Sequence, residues 1–420
     1  MTLRQITLQL TTMSNGPDSI GRDPETGRTV FVPLAIPGET VRVEIVAAKP
    51  TFDRARLIEV LVPSPDRVEP ICPHFGVCGG CHYQHLSYAA QLEWKRQIVI
   101  NQITRIGGIA NPHVLETLPS PDPWHYRNHV QFSQTTSGKL GFIKSDKSAQ
   151  SVDESVVAID ECPIARPEIM ELFHQIDIEK LEVDQIGLRD GADGETLLTF
   201  ESESGEPPDV ELDLPISVAS INKDGEALTL IGDDHLIQEI NGRAFQVSAG
   251  SFFQVNTAQA EALVRVVVAA LDLKGGETVI DLYSGVGLFA AFIAPLATRV
   301  IGVESFAPAV RDAEVNLDEF ENVEIYESPV EVALDHLVTL SALHPVSVVL
   351  DPPRAGCDKT VLQHLLSLGP TRLVYVSCDP ATLARDAKRL AEGGYQLVSA
   401  QPLDMFPQTY HIETVAVFER

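Results

Sequence analysis

From residue 258 to residue 420 the chain alternates between helical and strand patterns, and this alternation limits its fold more than any other feature. "TAQAEALVRVVVAALDL" carries apolar residues at helical spacing, "ETVIDLYSG" is an apolar run ending in a turn, "VGLFAAFIAPLA" is helical again, and "RVIGVES" returns to strand. The pattern continues through the helix "APAVRDAEVNLDEF", the strands "VEIYES" and "PVSVVLDPPRAG", the helix "KTVLQHLLSL", the strand "RLVYVSCDP", the helix "ATLARDAKRLAEGG" and the strands "YQLVSAQPLDM" and "HIETVAVFER". Such alternation predicts an α/β domain on a mostly parallel, doubly wound sheet, placed at residues 246–420. In such sheets ligands bind at the carboxyl ends of the strands.

Reactive residues fall at those ends. Gly285 and Gly287 follow one strand and open the next helix, where a ligand can approach the backbone closely beside a helix N-terminus. Glu304 ends the following strand, a place where a carboxylate can hold two ribose hydroxyls. The loop lacks the Lys-Ser/Thr of a Walker sequence and the GxGxxG spacing of a dinucleotide site, so it fits S-adenosylmethionine better than NAD. Asp351 ends another strand before two prolines, which stiffen the loop. Cys378 stands where a strand stops and a helix starts, and Glu413 is near the start of the last strand. A free cysteine is often a small buried residue and no more. Cys357 is read that way, but the strand-end placement of Cys378 argues otherwise. A thiol and two carboxylates on one sheet edge suit methylation at C5 of a pyrimidine. Cys378 would add to C6, Asp351 would hold or polarise the base edge, and Glu413 would remove the C5 proton. A thiolate beside a helix start is also expected to be favoured electrostatically.

Upstream the patterns differ. Residues 1–62 hold about five short strands with turn signals, which predicts a small closed barrel of oligonucleotide-binding type. The barrel is either an RNA contact or a structural cap. Residues 63–245 form a second, strand-rich unit with one helix at about 85–110, started by Ser87 and stopped by Gly107-Gly108. Cys72, Cys78, Cys81 and Cys162 supply four thiolates, which suit zinc or an iron–sulfur cluster; spacing alone leaves both open. It is not the Cys-x3-Cys-x2-Cys of a radical enzyme. In "WHYRNHVQF" the aromatics are either stacking platforms for RNA bases or core, and Arg127 and Arg385 are candidate phosphate contacts.

The net charge of −28 argues at first against nucleic acid. Its distribution softens the point, since residues 1–166 carry 16 basic and 17 acidic side chains and residues 167–420 carry 15 and 42. The acidic stretch 177–239 reads as a solvated face. No apolar run approaches a membrane span and no signal peptide pattern opens the chain, so a cytoplasmic location is expected.

Together, "GSFFQVN" (250–256), "DLYSGVGLF" (281–289), "LDPPRAG" (350–356), "SCDPATLARD" (377–386) and "DMFPQTYHIE" (404–413) resemble the RNA uracil-C5 methyltransferases. "CPHFGVCGGCHYQHLSYAAQLEWK" (72–95) resembles the cluster-binding segment of the branch acting on 23S ribosomal RNA, and residues 3–62 resemble its TRAM domain. The resemblance implies a Rossmann-like class I methyltransferase domain with an N-terminal TRAM barrel and a β-rich central iron–sulfur domain. It implies Cys378 as nucleophile, Glu413 as base, and Gln254, Tyr283, Glu304 and Asp351 as contacts to the methyl donor or target base. It also implies a [4Fe-4S] cluster on the four cysteines, RNA rather than DNA as partner, and packing of residues 85–110 on the catalytic domain. Leu288 departs from the family, many members of which have Asn there. A transfer RNA substrate, or a non-catalytic RNA-binding role, are the alternatives.

Overall fold

Alternation of inward and outward side chains along the first five strands closes them into a barrel. β1 (Gln5–Met13), β2 (Ser19–Arg22), β3 (Thr29–Val32), β4 (Thr40–Ala48) and β5 (Phe52–Val62) join in the order β1-β2-β3-β5-β4. Leu8, Leu10, Val30, Val32, Val41, Val43 and Ala55 fill its interior. The computed structural model describes residues 4–145, 155–176, 178–202, 204, 206–211, 213–339 and 346–420.

Helix α1 (Tyr88–Arg105) begins where the Ser87 hydroxyl accepts the Ala90 N–H. Its apolar face, Ile98, Val99 and Ile103, enters the same core as Leu383, Ala384 and Ala387 of the C-terminal domain. Its Lys95 is fully buried and donates to Asp404 Oδ1 at 2.5 Å. Burial pushes the Lys95 ammonium down, and the Asp404 charge opposes that shift. Removing one partner of a buried pair strands the other charge. Lys95→Met is therefore expected to cost about 3–5 kcal/mol of stability, read as a fall in the thermal midpoint. The double variant Lys95→Met/Asp404→Leu is expected to recover much of that loss.

The central sheet is ordered β12-β11-β10-β9-β6-β7-β8. Its strands are β6 (His129–Gln134), β7 (Leu140–Ile143), β8 (Val156–Ala158), β9 (Gln185–Asp190), β10 (Thr196–Glu201), β11 (Ser217–Ile221) and β12 (Ala227–Ile231). Helix α2 (Pro167–Gln175), which the strand-rich reading passed over, packs Ile169 and Leu172 on this sheet. Tyr126 and Phe132 are buried, so these two aromatics are core rather than platforms for RNA. Strands β13 (His235–Ile240) and β14 (Arg243–Ser248) form a hairpin. The expected boundary at 245/246 falls inside β14, whose Phe245 and Val247 belong to the C-terminal core.

That core surrounds a seven-stranded sheet. Helix α3 (Thr257–Leu271) leads into β15 (Thr278–Leu282), α4 (Leu288–Ile293), β16 (Arg299–Glu304), α5 (Ala307–Asn316), β17 (Val323–Glu327) and α6 (Val330–Leu337). Then come β18 (Val346–Leu350), α7 (Lys359–Leu368), β19 (Arg372–Ser377), α8 (Pro380–Glu392), β20 (Gln396–Leu403) and β21 (Glu413–Glu419). The order is β17-β16-β15-β18-β19-β21-β20. β15 to β19 are parallel, and β21 runs antiparallel between β19 and β20. Strand order reverses between β15 and β18, the place where such sheets bind ligands. Among the described residues no helix is long and apolar enough to cross a membrane.

Candidate active site

The turn after β15 is bent by three positive φ angles: Tyr283 at 62°, Gly285 at 53° and Gly287 at 85°. Gly287 caps α4, and a Cβ there would meet the Leu317 side chain at 2.7 Å. Tyr283 adopts the conformation without being glycine, a strain that marks functional turns. Glu304 closes over this loop. Its Oε2 accepts the Gly285 N–H at 3.0 Å, and its Oε1 accepts those of Ser305 and Phe306 at 2.7 and 2.8 Å.

Beneath the loop lies Asp281, a buried carboxylate inside an apolar strand. Its Oδ2 accepts the Ala290 N–H at 3.1 Å, while its buried Oδ1 has no partner, and neither has Ser284 Oγ. Burial pushes Asp281 up to about 8, with Asp351 and Glu304 adding to the shift. Two orphaned polar atoms under a glycine cradle fit a polar ligand such as the methyl donor. Leu288 is buried in the core beside this loop.

Parallel strands bring the next groups to the same edge. Leu282 pairs with Leu350, so Tyr283 and Asp351 follow side by side, and the Asp351 N–H donates to Leu282 O at 3.3 Å. Ser377 pairs with Thr414 in the antiparallel ladder, which places Cys378 opposite Glu413. Glu413 is buried, and its Oε1 has no partner. Burial, and then the Asp351 charge, holds its carboxyl well above the usual range. Burial likewise pushes Asp351 up to about 7.

One expectation is corrected here. Cys378 precedes a helix, yet its thiol is pushed up to about 12, by burial and then by Glu413 and Asp351. The helix N–H groups that would have favoured a thiolate are used by Asp379, whose Oδ1 accepts from Ala381 and Thr382 at 2.8 and 3.1 Å. Arg354 pulls the thiol the other way.

Gln254 is buried on the segment before α3, where its carbonyl accepts from Asn128 Nδ2 at 3.2 Å. Two residues earlier Phe252 is 70% exposed, an aromatic that the sequence reading quoted in "GSFFQVN" but did not single out. It stands between buried Ser251 and Phe253, a contrast that only the folded chain shows. Arg385 is not a free phosphate contact, because Asp386 Oδ1 holds its Nε at 2.8 Å and its Nη2 donates to Cys357 O. Cys357 is buried.

Cys72, Cys78, Cys81 and Cys162 line one cavity of about 340 Å³ with Arg127. Arg127 therefore faces thiols rather than RNA phosphate, and its Nε is buried without a partner. Backbone N–H groups point at the sulfurs: His74 and Phe75 at Cys72, Gly80 at Cys78 (3.3 Å), and Ile164 and Ala165 at Cys162. Burial pushes the thiols up, Cys78 to about 11 and Cys81 to about 12. Four desolvated sulfurs beside a cation, three of them accepting backbone N–H bonds, are a donor set fit for a cluster. Among the described residues no group of three or more His, Cys, Asp or Glu is placed to hold a metal ion.

The sequence profile of the tRNA (uracil-5-)-methyltransferase family matches residues 229–420, and that of the TRAM domain matches residues 4–58. An uncharacterized RNA methyltransferase of Chlorobaculum tepidum is 34% identical, the alignment covering 99% of this chain and 96% of that protein. One of Halalkalibacterium halodurans is also 34% identical, over 96% and 94%. The crystal structure of the Pyrococcus abyssi tRNA (uracil-54, C5)-methyltransferase, in complex with S-adenosyl-L-homocysteine, superposes with a TM-score of 0.73. It is 27% identical, covering 99% of this chain and 100% of that one.

Proposed function

Because the chain belongs to the RNA uracil-5-methyltransferase family, with a TRAM domain at its N-terminus, we propose that it methylates C5 of a uridine in 23S ribosomal RNA through a covalent adduct on Cys378. The observation that carries this reading is the facing of Cys378 and Glu413 on one sheet edge, with Asp351 beside them, next to the glycine loop.

C5 of uracil is a poor nucleophile until a thiolate adds to C6. As Cys378 attacks, its proton passes to the neighbouring Asp351 carboxylate, and the C5–C6 electron pair moves towards the uracil carbonyl. Burial raises the proton affinity of Asp351, which suits it to take that proton and offer it where the negative charge collects. S-adenosylmethionine supplies the electrophilic methyl group. Glu413 then takes the C5 proton, the C5–C6 double bond re-forms, and the thiolate is expelled. A carboxylate with a raised affinity for protons suits this step. Gln254 and Tyr283 would contact donor or base, and Gly285, Gly287 and Glu304 would cradle the donor. Exposed Phe252 offers a stacking face for a nucleotide beside the flipped uridine.

The four thiols would hold a [4Fe-4S] cluster, whose role is to fold the central domain; the methylation needs no redox step. Cys81→Ala, purified anaerobically, is expected to lose the cluster's visible absorption and bound sulfide, and to melt at a lower temperature. Unchanged iron and sulfide content would remove Cys81 from the ligand set.

The likeness to the Pyrococcus abyssi enzyme favours transfer RNA as a second reading. The two separate when anaerobically purified protein is incubated with labelled donor and unmodified total RNA, and the labelled fragment is mapped. Label in a large-subunit ribosomal fragment supports the first reading, and label in transfer RNA the second. No label in either supports a non-catalytic RNA-binding role.

A further inference from the structure

Residues 404–412 join β20 to β21 and deliver Glu413 to the site. This segment has little internal support: Thr409 donates to Phe406 O from its N–H at 3.3 Å and its hydroxyl at 2.8 Å, and the His411 N–H donates to Thr409 Oγ1 at 3.2 Å. Instead, four successive carbonyls are held by four remote parts of the chain. Met405 O accepts from Asn256 Nδ2 at 3.2 Å. Phe406 O accepts from Lys95 Nζ at 3.0 Å, and Pro407 O from the buried Tyr126 hydroxyl at 3.0 Å. Gln408 O accepts the backbone N–H groups of His82 and Tyr83, each at 2.9 Å. Gln408 itself sits at φ 67° and pairs reciprocally with Gln91. Gln91 Nε2 donates to Gln408 Oε1 at 3.0 Å, and Gln408 N donates to Gln91 Oε1 at 3.1 Å.

Two of these holders adjoin the thiol site in sequence. His82 follows Cys81 directly, and Tyr126 precedes Arg127, which lines the thiol cavity. We infer that Tyr126, Gln91 and the His82–Tyr83 backbone are positioning residues for Glu413, and that the thiol-bearing segment acts on the last chemical step through residues 404–412. The inference rests on Glu413 being the base. A misplaced base does not impede thiolate addition or methyl transfer; it delays only removal of the C5 proton and release of Cys378. A merely structural defect would lower donor binding, adduct formation and adduct breakdown together.

The test uses the full chain, purified anaerobically, as Tyr126→Phe and Gln91→Leu. Tyr126→Phe deletes one hydroxyl and keeps the buried ring, and an unchanged thermal midpoint checks that the fold is retained. With labelled donor and unmodified total RNA, the methylated protein–RNA adduct is followed on denaturing gels, with Glu413→Gln in parallel. The expected result is an adduct that forms at the wild-type rate and persists about tenfold longer in both variants, and longest in Glu413→Gln. Adduct breakdown at the wild-type rate in both variants, while Glu413→Gln traps it, overturns the inference. Failure of Glu413→Gln to trap the adduct removes the base assignment itself, and the inference with it.

Discussion

Cys378→Ala is expected to lower methyl transfer to RNA by on the order of 10⁴-fold or more and to abolish the covalent protein–RNA complex. The size follows from the chemistry. Without addition at C6, C5 carries no usable negative charge, and no other group on the sheet edge replaces a thiol. The donor loop is built from β15 and β16 and does not include Cys378, so donor affinity, measured by equilibrium dialysis, should stay within about twofold of wild type. Loss of donor binding would instead indicate that the turn after β19 had shifted. Methylation persisting in Cys378→Ala would exclude this cysteine as nucleophile. The high proton affinity of the resting thiol, set by burial and two carboxyls, adds a kinetic expectation. Alkylation of Cys378 by a neutral reagent should be slow at pH 7 in the free protein.

Glu413→Gln, at the residue opposite Cys378 in the strand ladder, is expected to give the opposite phenotype, because it blocks the last step rather than the first. Addition and methyl transfer proceed, the C5 proton stays, and the adduct accumulates because the thiolate leaves only when that proton goes. Turnover should fall by about 10²–10⁴-fold, the usual worth of a general base, while labelled RNA becomes covalently attached to protein. The wild-type enzyme should show a matching pH dependence. Burial and Asp351 raise the proton affinity of Glu413, so the fraction able to act as base falls as pH drops. Adduct breakdown should therefore slow on acidification well above the ordinary carboxylate range, and the slowing should be absent in Glu413→Gln.

The strand–helix alternation was enough to place Gly285, Gly287, Glu304, Asp351 and Cys378 at strand ends, because period and turn chemistry are local. The pairing of Cys378 with Glu413 was not local. It depends on β21 inserting antiparallel between β19 and β20, a register that arises from the whole sheet. The protonation state of Cys378 was misread for a similar reason: a helix start is visible in sequence, but the side chain that occupies its N–H groups is not. Arg127 and Arg385 read in sequence as candidate phosphate contacts, but Arg127 lines the thiol cavity and Arg385 pairs with Asp386. Helix α2 was passed over because a short amphipathic segment between strands carries little periodic signal, although Pro167 marks its start. The support of residues 404–412 by Asn256, Lys95, Tyr126 and the His82–Tyr83 backbone uses carbonyl acceptors that every residue possesses, so no sequence pattern announces it.

The central claim is that the methyl group replaces the hydrogen at C5 of uridine. It is tested most directly with RNA carrying tritium at uridine C5, incubated with the anaerobically purified enzyme and S-adenosylmethionine. The account predicts release of tritium to water in proportion to methyl groups transferred, abolished in Cys378→Ala and blocked after methyl transfer in Glu413→Gln. With the wild-type enzyme, methyl groups entering RNA while the tritium stays in place would contradict it.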